Sequence, residues 1–277
     1  MQLATVGPPH ADLERIIHDE QGFLDPAKWR SLQGSIEARV CRIEIPLGTP
    51  IGTGFLVNSD VVMTNHHVVQ PVIDGTVSPT EVVLRFDYKR SAEGNTVNSG
   101  IEFRLADDAA RWLIDASPPS PIDTQPEPKA GVPQTDQLDY ALLRLRDAPG
   151  ATTIGAAGDF RDAKRGWIAV SAPAAVPKQG APLFIMQHPA GQPLKLAFSG
   201  NGIIGVNANS TRVRYDVNTE AGSSGAPCFD LNWSLVAIHH SGDPNFAQPT
   251  YNEGIPMGAI VALMNQRGVA GVLGPAT

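Results

Sequence analysis

Apolar residues in this chain fall in short runs, most of them four to eight positions long. Glycine, proline, asparagine, aspartate and serine punctuate the gaps. Many runs have the two-residue period of a half-buried strand. This pattern predicts strands over residues 39–45, 51–57, 81–86, 101–105, 111–114, 139–145, 182–186, 195–198, 200–206, 213–217, 227–229 and 235–238, with 101–105 and 111–114 as a hairpin. Residues 61–69 form a β-branched run that reads the same way. Helical spacing is confined to the two ends. Leu13, Ile16 and Ile17 share one face. Asp25-Pro26 marks a helix start, with Trp29 and Leu32 on one face after it. Pro256 starts a closing helix that runs to about Gln266 and stops at Gly268. Residues 1–10, broken by Gly7-Pro-Pro9, read as disordered. The pattern is that of an all-β protein.

Composition narrows the function classes. The chain has 277 residues and a formal net charge of −7, with 27 glycines and 24 prolines. It has no basic cluster, which argues against nucleic acid or an anionic membrane as a partner. No apolar run approaches the ~20 residues of a membrane span. Acidic and basic residues from Asp12 to Glu20 interrupt the N-terminus, so no secretory pattern is expected and a cytoplasmic location is the simplest account. Cys41 and Cys228 sit in strand-like apolar contexts and read as buried free thiols, not a disulfide framework.

Chemistry concentrates in Thr219-Glu-Ala-Gly-Ser-Ser-Gly-Ala-Pro227. Ser224 stands between Gly222 and Gly225, where small residues let the backbone turn sharply and approach a substrate. In that geometry the N–H groups of Gly222 and Ser224 can converge on an oxyanion, each donor contributing on the order of 3 kcal/mol. A serine needs a base and a group to orient it. Val61-Val-Met-Thr-Asn-His-His-Val-Val69 supplies His66 and His67, and Leu138-Asp-Tyr-Ala-Leu-Leu-Arg-Leu145 supplies Asp139. Each motif alone also fits an ordinary turn or strand. The three together, in the order His, Asp, Ser, resemble the trypsin/chymotrypsin-like serine peptidases, and most of all the bacterial glutamyl-endopeptidase branch with its Thr-Asn-x-His-Val-Val, Asp-Leu-Ala and Gly-x-Ser-Gly-x-Pro motifs. The resemblance covers roughly residues 36–266.

That resemblance implies two six-stranded antiparallel β-barrels with the active site between them. Residues 1–35 would be a helical N-terminal segment, 36–148 the first barrel, and 149–277 the crossover, second barrel and closing helix. It also implies Ser224 as nucleophile, His67 as general base, Asp139 as its orienting carboxylate and Gly222 and Ser224 as the oxyanion hole, with no metal or cofactor. Neighbours on a strand face opposite ways, so only one of His66 and His67 would face the cleft, and the family spacing selects His67. The substrate would be a protein or peptide.

Asn218, Thr219, His239 and Gly242 match positions that line the primary specificity pocket of the family. Asn218 stands where a trypsin-like enzyme has aspartate. Thr219 and His239 match the residues that hold a glutamate side chain in glutamyl endopeptidases, so an acidic residue before the cut is expected. His188 is expected to be structural, and His240 has no assignable role. Ser223 replaces the aspartate that pairs with a newly cut N-terminus in the chymotrypsin branch, so that switch is absent. The long spacing from His67 to Asp139 is placed in a polar, proline-rich loop at residues 116–135, read as exposed decoration, a lid or a protease-sensitive flap. The N-terminal segment resembles those preceding peptidase domains of bacterial conflict-system proteins. This implies a regulatory or adaptor partner and a role in defence or signalling. The competing readings are a catalytically silent binding module, an esterase on the same triad and a quality-control protease.

Overall fold

Residues that alternate across the pleat assemble into two antiparallel sheets of seven strands each. The computed structural model of the protein describes residues 23–275 apart from 92, 108–110, 128, 130, 155–162, 172 and 246. The first sheet holds β1 (Val40–Glu44), β2 (Pro50–Asn58), β3 (Val61–Thr64), β4 (Val83–Phe86), β5 (Ile101–Arg104), β6 (Leu113–Ser117) and β7 (Tyr140–Arg144), in the order β5-β4-β1-β2-β3-β7-β6. The second holds β8 (Leu183–Gln187), β9 (Lys195–Ser199), β10 (Ile203–Val206), β11 (Val213–Tyr215), β12 (Pro227–Phe229), β13 (Leu235–Gly242) and β14 (Asn252–Pro256), in the order β10-β11-β14-β13-β12-β8-β9.

Seven strands per sheet, rather than six, follow from one device used twice. The two ends of each sheet are consecutive pieces of chain. In the first sheet Leu105, just past β5, bridges to Leu145, just past β7, and Ala106 N–H donates to Arg144 O at 3.0 Å. The path from β4 to β7 is thus broken into β5 and β6. The expected hairpin between them does not form, because β5 pairs with β4 and β6 with β7. In the second sheet β9 and β10 take the two ends, and Gly180 N–H donates to Ile203 O at 2.8 Å, drawing β10 toward the chain leading into β8.

Three α-helices among the described residues flank the sheets. In α1 (Pro26–Glu37) the Asp25 side chain caps the N–H groups of Ala27 and Lys28, as its sequence predicts. Trp29 packs edge-on to Phe184 and tilted against Trp233, which ties α1 to the second sheet, and its indole N–H donates to Leu231 O. The run 61–69 is not one strand: after β3 the chain turns at Asn65 into α2 (His66–Ile73). Burial of Val68, Val69 and Val72 in the first sheet's core outweighs their β preference. Sequence reading also missed β14, which contains Asn252, Glu253 and Gly254 and runs into α3 (Met257–Gln266). The readings of residues 1–10 and 11–18 lie outside the described residues.

One apolar cluster joins the sheets, drawing Phe55, Tyr140, Phe184, Phe229 and Ile255 together. Cys41 and Cys228 are free and buried. Burial pushes the Cys228 thiol up to about 12 and the Cys41 thiol higher still, so both stay protonated and inert. No helix among the described residues is long and apolar enough to cross a membrane.

Candidate active site

The site lies where the start of α2, the head of β7 and the turn before β12 meet. Asp139 precedes β7 with a left-handed φ of 43°, a conformation that Asp tolerates better than most residues. That turn aims its carboxylate at the start of α2. Oδ1 accepts the backbone N–H of His67 at 3.0 Å, and Oδ2 meets His67 Nδ1 at 2.7 Å. Asn65 donates its side-chain amide to Asp139 O at 2.8 Å, fixing the same turn from the other side. Burial would push the Asp139 carboxyl up, but hydrogen bonds from His240 and His67 overcome it and hold the group well below the usual carboxylate range. With Nδ1 engaged, Nε2 is the nitrogen left for a substrate-side proton. His66 and His67 open a helix rather than lie on a strand, so strand alternation does not tell them apart; the contacts with Asp139 belong to His67. His66, first residue of the same helix, has its Nδ1 buried without a hydrogen-bond partner among the described residues.

Ser224 sits in a turn that the first sheet holds in place. Thr53 of β2 donates its hydroxyl to Gly222 O at 2.8 Å and its N–H to Ser224 O at 2.8 Å, while its hydroxyl accepts His188 N–H at 3.1 Å. Gly225 has φ 85°, and a Cβ there would lie 2.2 Å from Thr53 O, so only glycine fits. A Cβ on Gly52 would lie 2.7 Å from Val68 Cγ1 and 3.2 Å from Ser224 O. Gly52 therefore separates the serine turn from the residue next to His67. Ser223 is buried, and its hydroxyl accepts Glu220 N–H at 3.3 Å. Among the described residues the N–H groups of Gly222 and Ser224 have no protein acceptor. They are free to meet an anionic oxygen.

Beside Ser224 opens a cavity of about 660 Å³ whose wall includes all four predicted pocket residues, Asn218, Thr219, His239 and Gly242. His239 Nδ1 meets the Tyr215 hydroxyl at 2.7 Å. Burial, with His240 and His67 nearby, lowers its pKa to about 3, so the ring is neutral. Asp216, Glu220 and Asp243 line the same cavity. His188 is structural as expected. Its ring is buried, Nδ1 donates to Gln192 O at 2.9 Å, and burial lowers its pKa to about 4.

Sequence reasoning missed a buried charge cluster behind Asp139. His240 Nδ1 lies 3.3 Å from Asp139 Oδ2, and its Nε2 lies 3.4 Å from Glu253 Oε1. Arg212 grips both oxygens of Asp123 at 2.9 and 2.8 Å, and Arg214 holds Glu253 at 3.1 Å. Asp123, His240 and Glu253 have ligand atoms close enough to hold a metal ion. The Arg212 guanidinium already supplies a cation there, 3.8 Å from Glu253, so the trio is a charge cluster. The segment read as exposed decoration therefore buries Ser120 and Asp123 and is pinned to the second sheet.

A family model for the trypsin-like peptidase domain matches residues 52–238. The chain is 30% identical over 218 residues to the uncharacterized protein y4fB of Sinorhizobium fredii, covering 74% of this chain and 28% of that protein. Among solved structures, the Rv3671c protease of M. tuberculosis in its active form aligns with TM-score 0.52 and 16% identity over 92% of this chain and 91% of that one. The serine endoprotease of Yersinia pestis aligns with TM-score 0.55 and 13% identity over 89% and 68%. At these identities the solved structures speak to the fold alone.

Proposed function

Because the chain belongs to the trypsin-like peptidase domain family, we propose that it is a serine endopeptidase working through His67, Asp139 and Ser224. The observation that carries the reading is the pair of bonds from Asp139 to the N–H and Nδ1 of His67. They fix both the position and the tautomer of the imidazole. Ser224 Oγ bonds to the scissile carbonyl carbon as its proton passes to His67 Nε2. The carbonyl oxygen becomes an oxyanion facing the N–H groups of Gly222 and Ser224. The C–N bond then breaks and the amine leaves with the proton from His67. Water, deprotonated by His67, attacks the acyl carbon; the C–O bond to Ser224 then breaks as His67 returns the proton to Ser224 Oγ. Each oxyanion donor contributes ~10²–10³ in rate.

Preference for an acidic residue before the cut rests on the Thr219 hydroxyl and the His239 ring in the pocket wall. A specific observation favours a second reading. Asp216, Glu220 and Asp243 share that wall with no Lys or Arg among its described residues, a field that welcomes a cationic side chain and repels a carboxylate. Profiling a peptide library ranks the two.

The test of the activity is labelling by a fluorophosphonate probe beside Ser224→Ala and His67→Ala. Labelling that vanishes in both folded variants is the expected result. A folded wild type that stays unlabelled would favour the silent binding module.

A further inference from the structure

His240 is buried between two carboxylates, with Asp139 on its Nδ1 side and Glu253 on its Nε2 side, and its side chain is 2% exposed. A neutral imidazole has one N–H, so one of its nitrogens would turn a lone pair toward a carboxylate. Only the imidazolium donates both ways. The backbone is shaped for this placement. His239 pairs with Gly254 and Ser241 with Glu253, which leaves His240 as the extra residue of a β-bulge. A bulge re-aims a side chain, here toward Asp139 Oδ2, the oxygen that also meets His67 Nδ1.

We propose that His240 is a positioning residue, a doubly donating imidazolium that holds Asp139 against His67 and shares its negative charge. The proposal rests on the triad reading above and deepens it. The groups facing His240 are Asp139 before β7, Glu253 on β14, Asp123 from the loop before β7, Arg212 before β11, and His67 and His239. Arg212 is taken up by Asp123, and Arg214 and Lys129 flank Glu253. Burial works to lower the pKa of His240, but hydrogen bonds to Asp139 and Glu253 outweigh it and the net shift is upward. A carboxylate flanked by one imidazole holds that ring's proton tightly. With a second cation on the same oxygen, the carboxylate's charge is shared between two rings and that hold weakens.

The experiment has two arms. In the first, ¹⁵N spectra of the folded wild type near neutral pH, with His240 assigned by loss of its signals in His240→Gln, report its ring nitrogens. Both nitrogens protonated is the expected result, and a single protonated nitrogen overturns the proposal. In the second, the rate of fluorophosphonate labelling is followed against pH in wild type and His240→Gln, whose amide can still donate to Asp139 but carries no charge. The acid limb is expected to move to higher pH by about one unit. A lower plateau with an unmoved limb overturns the charge-sharing role. If His240→Gln fails to fold, loss of ordered spectra identifies that, and His240→Asn supplies the assignment and the pH profile instead. If wild type is not labelled at any pH, the peptidase reading fails, and the ring-nitrogen measurement alone upholds or overturns the charged clamp.

Discussion

His67 meets both oxygens of Asp139, one through its backbone N–H at 3.0 Å and the other through Nδ1 at 2.7 Å. One carboxylate thus anchors the first turn of α2 and selects the ring tautomer. Asp139→Asn keeps an acceptor for one contact, but its amide can turn an N–H toward Nδ1 and drive the proton to Nε2. The expected loss is about 10⁴-fold in acylation rate. Probe-labelling kinetics would measure it, with thermal unfolding as a check that the fold survives.

Gly225 and Gly48 both have positive φ, at 85° and 86°. A Cβ on Gly48 meets nothing within 4 Å, whereas on Gly225 it lies 2.2 Å from Thr53 O. Gly48→Ala is expected to cost about 1–2 kcal/mol from the left-handed backbone alone. Gly225→Ala should cost about 3 kcal/mol more, because the serine turn must leave β2. Urea unfolding of the two variants side by side gives the difference. Equal losses would show that the turn yields cheaply.

Arg165 and Asp87 form a bidentate ion pair at 3.0 and 2.8 Å, both side chains at most 1% exposed. Removing one partner strands a buried charge, so Arg165→Met or Asp87→Asn alone is expected to cost about 3–5 kcal/mol. The double variant Arg165→Met/Asp87→Asn, whose asparagine tolerates the left-handed φ of 59° at that position, should recover much of that loss. Additive losses in chemical denaturation would contradict the pairing.

Stability should fall on acidification in two stages. His188 is held neutral, with its pKa lowered to about 4 from an ordinary 6.5. Between those values the unfolded chain binds the extra proton, so stability is lost as pH drops from about 6.5 to 4, on the order of 3 kcal/mol. Glu44 and Glu253 have carboxyls held down near 2 by Arg85 and His240 respectively, against the opposing effect of burial. Their contribution is present above about pH 4.5 and fades as pH falls toward 2. His239, with its pKa lowered to about 3, adds to the first stage, so His188→Gln is expected to shrink that stage and leave the second. Unfolding free energies measured from pH 7 to 2 would show whether the stages separate.

What the chain revealed in advance was what depends on near neighbours. The glycines around Ser224 and the short, turn-bounded apolar runs of β1, β2 and β7 carry their conformations locally. Asp25-Pro26 announced α1 for the same reason. The helix at His66 was hidden because Val68 and Val69 favour strands, and only burial against the first sheet reverses that preference. β14 was hidden because Asn252 and Gly254 are poor strand formers, stabilised by pairing with β11 and β13. His240 was the larger miss. Its partner Asp139 lies 101 positions away, and a bulge that cannot be read from neighbouring residues turns it there. Arg212 and Asp123, 89 positions apart, turn a segment that looks like a bare loop into a buried anchor.

The hydroxyl of Thr53 has a consequence for how the molecule could be divided. It belongs to the first sheet, yet it bonds to Gly222 and His188, which flank the second. Two fragments cut between the sheets would each carry half of the chemistry, and the half bearing Ser224 would lack the template for its own turn. If the chain is the peptidase proposed above, its activity would then report reassociation of the fragments, with Thr53 seating itself across the seam beside the shared apolar cluster.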